Sequence, residues 1–423
     1  MPTHNYAVPP ISYSTYEPWT NWGGNQTCTP AFTVAPRDEQ EVVDAVRFAI
    51  KQNLSVRAVG AGHSFTPIVT TGGMLINTDA LTGLTGVDVA RNRVRLRGGT
   101  RLKDIGDPLW DRGLSLTNQG DIIQQSISGA LATATHGSGI HQTSFSGRLR
   151  WARIVNGHGE IVEVGEDDLD KLRAAQVAIG TLGIMTEVEL EASPRYHLAE
   201  EVSYPHWDEI KANLADNVAN LRHYSFLWCQ TEESPALYEL PCPEGLPMTN
   251  RAYQKIYREV EITEPDGIST TPGARIDRSY RIYDMGGMTL PFHELEYYVP
   301  AEHSLEAIEA LQQLILTNYP NELYPIEVRW VGPEDGYLSP FYKRATNVLS
   351  VSGHPGTDYW PYLRDVDALL EDFDARQHWG KLHFLTRERI EKQYPEYDKF
   401  VAVRREFDPN GVFLNDSLRQ LVG

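Results

Sequence analysis

The chain has 423 residues, room for two or three domains and for a large cofactor with a lid over it. Asp and Glu number 57 against 38 Lys and Arg, a formal charge of −19 with the acid spread along the chain, which argues against a nucleic acid bound through its backbone. A 41% apolar content, a 22% charged content and the lack of any run of about eighteen apolar residues exclude a disordered chain and a membrane-spanning helix. The stretch MPTHNYAVPPISYSTYEPWTNW has no basic segment followed by an apolar one, so the expectation is a cytoplasmic protein without a signal peptide.

From Pro36, PRDEQEVVDAVRFAIKQN reads as a helix: acidic residues crowd its first turn, Val42, Val43, Val46, Ala49 and Ile50 share a face, and Asn53 ends it. LSVRAVGAGHSF follows, with Leu54, Val56 and Ala58 alternating as in a half-buried strand until Gly60 and Gly62 break the pattern. VDVARNRVRLRGGT alternates on both sides of a turn at Ala90–Asn92, and Leu102 to Arg112 reads as a short helix closed by Gly113. ARIVNGHGEIVEV resembles a hairpin, and GIMTEVELEA alternates strictly. After Pro194 long helical patterns such as HSLEAIEALQQLILTNY alternate with extended PIEVRWV and NVLSVSGH, around a polar, Pro-bearing region at 241 to 275. Residues 195 to about 375 therefore read as a second α+β domain, a sheet with helices on one face. The last fifty residues are helical and contain the turn signal Asp408-Pro409-Asn410-Gly411.

Several chemistries lack their signatures. Cys28, Cys229 and Cys242 are too few and too irregular for a disulfide framework or a zinc site, and the thirteen histidines include no His-Glu-x-x-His pair, so no metal is expected. No Gly-x-Gly-x-x-Gly opens a helix, and neither a P-loop nor a Gly-x-Ser-x-Gly elbow occurs. Two small-residue loops remain, each with a histidine: Gly60-Ala61-Gly62-His63-Ser64 and Ala132-Thr133-Ala134-Thr135-His136-Gly137-Ser138-Gly139. Such loops can turn successive amides inward as an anion nest, with Ser and Thr hydroxyls adding donors for a pyrophosphate; each could equally be a plain tight turn. Glu327 and Arg329 alternate with Ile326 and Val328, so both project from one strand face, either into a site or as a surface ion pair.

These blocks, with Gly180-Thr-Leu-Gly-Ile184, His378-Trp379-Gly380-Lys381 and DPNGVFLN, resemble the FAD-linked oxidases of the vanillyl-alcohol-oxidase type, most nearly the sugar-1,4-lactone oxidases (gulonolactone and arabinonolactone types) and the bacterial alditol oxidases. The resemblance runs over nearly the whole chain. It implies an α+β fold: a two-lobed FAD-binding domain over residues 1–194, an α+β cap domain with an antiparallel sheet over 195–375, and a segment 376–423 returning to the FAD domain. It implies FAD joined covalently through one histidine, His63, since the second loop carries no cysteine for a second link; an imidazole nitrogen is a fit nucleophile for that bond, and the competing role is a hydrogen bond to phosphate or backbone. Further cofactor contacts are implied for Gly60, Ala61, Gly62, Ser64, Ser126, Gly129, Thr133, Thr135, His136, Gly137, Ile184 and His378.

Glu327, Arg329 and Lys381 are the catalytic residues that the resemblance implies, with the guanidinium on the reacting hydroxyl and Lys381 beside the flavin pyrimidine. Substrate contacts are implied for these three and for Ser126, Ser350 and Ser352. Ser350 and Ser352 stand where alditol oxidases carry a histidine and a threonine, which leaves the substrate open between sugar lactones, polyols and a larger primary alcohol such as a nucleoside 5′-hydroxyl; Gln119, Asp121 and Gln124 are lesser candidates. The expected reaction passes a hydride from a carbinol carbon to flavin N5, with O2 as acceptor and hydrogen peroxide as product, or another acceptor in a dehydrogenase. A non-catalytic FAD- or carbohydrate-binding protein is the rival class. Nothing in the sequence sets an oligomeric state, and a monomer is compatible with it.

Overall fold

The computed structural model describes residues 6–262, 267–284 and 290–423. The amino-terminal part forms two lobes. In the first, strands Phe32–Val34, Met74–Asn77 and Val56–Val59 run parallel, with Tyr13–Ser14 antiparallel at the edge. The helix read from Pro36 spans Glu39–Lys51: the Asp38 side chain accepts from the Glu41 amide as N-cap, and Val42, Val43, Val46 and Ala49 are buried. Asn53 leaves it at φ 55°.

In the second lobe, five strands lie in the spatial order Ile161–Gly165, Leu149–Val155, Ile184–Glu191, Arg93–Arg97, Leu84–Asp88, and all pairs are antiparallel. The predicted hairpin is the first pair of this sheet. The predicted helix over 102–112 is a 3-10 turn, Leu102–Asp104, followed by Gly106–Trp110, and Gly113 closes it at φ 79°.

The cap is an eight-stranded antiparallel sheet, in the order Ile276–Arg278, His197–Ser203, Arg251–Val260, His223–Cys229, Ile326–Val331, Thr346–Gly353, His293–Pro300, Arg376–Gln377. Helices Trp207–Asn220, Ser304–Asn318 and Trp360–Glu371 share one apolar core with alternate residues of its strands. The region around 241–275, read as a polar separator, contributes the ten-residue strand Arg251–Val260. Lys255, Gln254 and Arg258 hid it: Tyr253, Lys255 and Tyr257 are all buried, so both faces are covered and hydropathy does not alternate.

Arg376–Gln377 still pairs with the cap sheet, and the chain then packs helices Arg387–Gln393, Tyr397–Phe407 and Asp416–Val422 into the core of the second lobe. The turn at Asp408 is built as its sequence suggests. Its carboxylate accepts from the amides of Val412 and Phe413, both at 2.8 Å, and Gly411 takes φ 67°. That turn meets the first lobe, where the Val56 amide donates to the Val412 carbonyl at 2.8 Å. The buried Arg57 guanidinium also donates to the carbonyls of Ile68, Ile179, Gly180 and Phe413, so one side chain ties both lobes to the carboxy-terminal segment. All three cysteines are free. Among the described residues no helix is long and apolar enough to cross a membrane, and no His, Cys, Asp and Glu cluster could hold a metal ion.

Candidate active site

A cavity of about 430 Å³ lies between the two lobes and the cap sheet. The Gly60–Ser64 loop and parts of the 125–136 and 178–185 segments form its lobe side. The amides of Ala61, Gly62, His63 and Ser64 have no hydrogen-bond partner among the described residues, although all four residues line the cavity. Unpaired amides in a cavity wall call for a ligand that brings acceptors, as a pyrophosphate does, so this wall fits the phosphate-bearing cofactor FAD. Gly60 must be glycine: a Cβ there would lie 2.1 Å from Ser126 Oγ. Gly62 takes φ 68°.

His63 stacks on Trp22, with ring centroids 5.2 Å apart. Burial, and then the nearby charges of Lys381 and Arg101, lower its pKa to about 4. The imidazole is therefore neutral at physiological pH and keeps a lone pair for bonding. The Phe65 amide donates to the Gly380 carbonyl at 2.7 Å, which fastens the histidine loop to the loop that carries Lys381.

The opposite wall is the sheet face turned away from the helices. Period-two alternation puts Glu327 and Arg329 there, with Val328 and Trp330 in the helix-covered core. Arg329 donates through Nε to Glu327 Oε1 at 2.7 Å and through Nη2 to Asp121 Oδ2 at 2.7 Å. Its Nη1 has no partner among the described residues and is the donor left for a ligand. Although burial opposes it, the charges of Glu327 and Asp121 raise the Arg329 pKa, so the cation is fixed. Lys381 pairs with Glu294, and despite burial the carboxylates of Glu294 and Glu296 keep it charged.

The remaining expectations separate into two groups. Ala61, Ser64, Ser126, Gly129, Thr133, Thr135, His136, Ile184 and His378 line the cavity with the residues above. His136 holds Glu296 Oε1 at 3.0 Å through Nε2, and His378 Nδ1 accepts from the Gly380 amide at 2.8 Å. Gly137, Ser350 and Ser352 do not line it. A Cβ on Gly137 would meet the Gln119 carbonyl at 2.3 Å, so close backbone packing is what requires glycine there. Ser350 is buried and donates to Glu294, while Ser352 shares a 2.6 Å hydrogen bond with Tyr238; both hydroxyls are used inside the wall, which places them as supports of lining residues. Of the lesser candidates, Asp121 lines the cavity, whereas Gln119 is buried outside it and Gln124 is exposed.

Among the polar residues that escaped the sequence reading are Glu294 and Glu296 on His293–Pro300, Lys255 on Arg251–Val260, and the ion pair of Glu200 with Arg275, which also lines the cavity. In HELEYYVP the alternation of Glu294, Glu296 and Tyr298 against Leu295, Tyr297 and Val299 was the available signal.

Comparisons with known proteins agree with this construction. The FAD binding domain family matches residues 30–165, and the D-arabinono-1,4-lactone oxidase family matches residues 241–421. The L-gulono-1,4-lactone dehydrogenase of Mycobacterium tuberculosis is 33% identical over 96% of this chain and 99% of its own. The alditol oxidase of a Streptomyces species is 29% identical over 95% of this chain and 98% of its own, and the mouse L-gulonolactone oxidase 26% identical over 95% and 97%. Among solved structures, the cholesterol oxidase of Brevibacterium sterolicum superposes with a TM-score of 0.84 at 16% identity, over 99% of this chain and all of that one, a likeness of fold. The chain thus has the two-lobed FAD-binding fold with an antiparallel cap, and it belongs to the family of FAD-dependent oxidoreductases that includes the sugar-1,4-lactone oxidases and dehydrogenases and the alditol oxidases.

Proposed function

We propose that this enzyme oxidises a carbinol carbon of a sugar-1,4-lactone or a polyol, with FAD held covalently through His63 and O2 as the electron acceptor. The observation that carries the reading is the pair of fixed cations, Arg329 and Lys381, set by Glu327, Asp121 and Glu294 in the cavity that the His63 loop, with its unpaired amides, also lines. FAD, when bound, supplies the hydride acceptor, N5. The chain's residues do the rest. Arg329 Nη1 donates to the reacting hydroxyl and stabilises the negative charge that grows there as its proton passes to water. Glu327 and Asp121 hold the guanidinium in place, so this donor is oriented before substrate arrives. Lys381, on the loop tied to the histidine loop, places a second positive charge in the cavity to balance electron density received by the cofactor.

Two tests address the reading. Purified holoenzyme, kept under nitrogen, is offered D-arabinono-1,4-lactone, L-gulono-1,4-lactone and linear polyols; bleaching of the flavin absorbance is expected, and no bleaching by any of them ends the proposal. Admitting air or a redox dye then identifies the acceptor, a live question because one relative is named a dehydrogenase and another an oxidase. For the covalent bond, acid precipitation should leave wild-type protein yellow and the supernatant clear, whereas His63→Ala should release the colour. The neutral imidazole in the cavity wall is what supports it.

A further inference from the structure

The hydrogen bonds around Arg329 leave particular atoms free. Asp121 uses only Oδ2, which accepts from Lys255 Nζ at 2.8 Å and from Arg329 Nη2 at 2.7 Å. Glu327 uses only Oε1, on Arg329. Asp121 Oδ1 and Glu327 Oε2 have no partner among the described residues, and the two side chains, 11% and 14% exposed, line the cavity. One guanidinium therefore carries two carboxylates, each with an open acceptor, beside its own open donor, Nη1. Burial pushes the Asp121 carboxyl up, but Lys255 and Arg329 outweigh it and hold the group ionised.

Around this point no cation among the described residues is left unpaired, and carboxylates outnumber cations. Arg329, Lys381 and the buried Lys255 face the carboxylates of Asp121, Glu327, Glu294 and Glu296, and each of the three cations has its carboxylate. A carboxylate or phosphate brought in would meet two like charges and find no unpaired cation, an arrangement that disfavours it. A neutral molecule with adjacent hydroxyls suits it: hydroxyls donate to Oδ1 and Oε2, and one accepts from Nη1.

We propose that Asp121 and Glu327, bridged by Arg329, form a diol clamp that selects neutral, unphosphorylated polyhydroxy substrates and rejects the corresponding acids. Asp121 is the specificity-determining residue of this clamp. The inference rests on the proposed function and narrows it: a sugar lactone is accepted, and the aldonate that forms when its ring hydrolyses is not.

The test uses holoenzyme whose flavin has been reduced beforehand with dithionite under nitrogen, so that ligands bind without turnover. Calorimetric titration compares D-arabinono-1,4-lactone with D-arabinonate. The lactone should bind at least about tenfold more tightly than the acid, and Asp121→Asn should weaken the lactone by about tenfold and bring the two within about threefold, the loss of one charge-assisted hydrogen bond and of the repulsion. Equal binding of acid and lactone by wild type, binding of neither, or an unchanged preference in Asp121→Asn overturns the clamp. Should Asp121→Asn fail to fold, the wild-type preference and its erosion in Glu327→Gln decide the question. Selective lactone binding in an enzyme whose oxidised flavin is bleached by none of the lactones or linear polyols would uphold the clamp and sink the functional reading.

Discussion

The two faces of the cap sheet are made by the same strands and differ by one residue of register. On the helix side Phe226, Ile256, Leu295, Val328, Trp330 and Leu349 pack into a single apolar core. On the cavity side the neighbouring positions are Leu227, Lys255 and Tyr257, Glu294 and Glu296, Glu327 and Arg329, and Ser350. Both faces are buried, by opposite means. The first gains from removing apolar surface from water, while the second takes charges out of water and recovers that cost only through close pairing. The sheet is thus stabilised from one side and spends that stability on the other, which is why its chemistry can stand on a rigid element instead of a loop.

Removing the central cation should break the comparison most severely. Arg329→Met keeps the unbranched stem of the side chain but deletes the guanidinium with its Nη1 donor and leaves Glu327 and Asp121 beside each other without a shared counter-ion. Loss of one preorganised donor at a developing anion costs about 10²–10³ in turnover, and breaking a buried pair costs about 3–5 kcal/mol. Flavin-bleaching rates and the urea midpoint should therefore fall together. A variant as fast as wild type would remove Arg329 from the reaction.

The first face was legible from sequence and the second only in part, for one physical reason. Alternation shows where hydropathy changes sign along a strand, and Ile326–Val331 displays it because Glu327 and Arg329 interrupt an apolar run. Arg251–Val260 does not, since Lys255 and two tyrosines occupy its buried cavity face. Pairing across strands also leaves no local trace: Asp121 meets Arg329 over 208 residues, and Lys381 meets Glu294 over 87. Ser350 and Ser352 fall on the correct face by parity, but only the fold reveals that Glu294 and Tyr238 take their hydroxyls before a ligand can. Arg57, inside a motif read for its glycines, showed nothing of its four carbonyl partners.

The apolar face offers the converse perturbation. Leu295 lies between Glu294 and Glu296 in sequence, points to the opposite side of the sheet and is fully buried. Leu295→Ala should lower stability by about 2–5 kcal/mol through the lost transfer energy and the cavity left behind. The charges flanking it stay in place, so turnover by the surviving folded enzyme should stay within about twofold of wild type, a difference below about 0.5 kcal/mol in barrier. Urea denaturation and flavin-bleaching kinetics separate the two effects. A drop in turnover matching that of Arg329→Met would show that the faces are not independent.

The smallest effect concerns a neutral member of the polar face. His223, on His223–Cys229, reaches the second small-residue loop: its Nδ1–H donates to the Ser138 carbonyl at 2.6 Å, and its Nε2 accepts from the Tyr283 hydroxyl at 2.6 Å and from Arg222 Nε at 3.1 Å. Burial lowers its pKa to about 3, with the Ser138 carbonyl opposing and Arg222 assisting. A proton on Nε2 would point at the Arg222 Nε–H and require the Tyr283 hydroxyl to turn and accept, which adds to the cost of burying the charge. The unfolded chain takes that proton near pH 6.5, the ordinary histidine value. Between about pH 6.5 and 3 the unfolded state therefore binds more protons than the folded state, and stability falls on acidification by up to about 1.4 kcal/mol per pH unit for this one group. His223→Gln retains a donor and an acceptor but does not titrate, so its urea midpoint should decline less between pH 7 and pH 5 than that of wild type. Parallel declines would mean that His223 carries its proton in the folded enzyme, and that this end of the polar face is held by charge as Arg329 and Lys381 are.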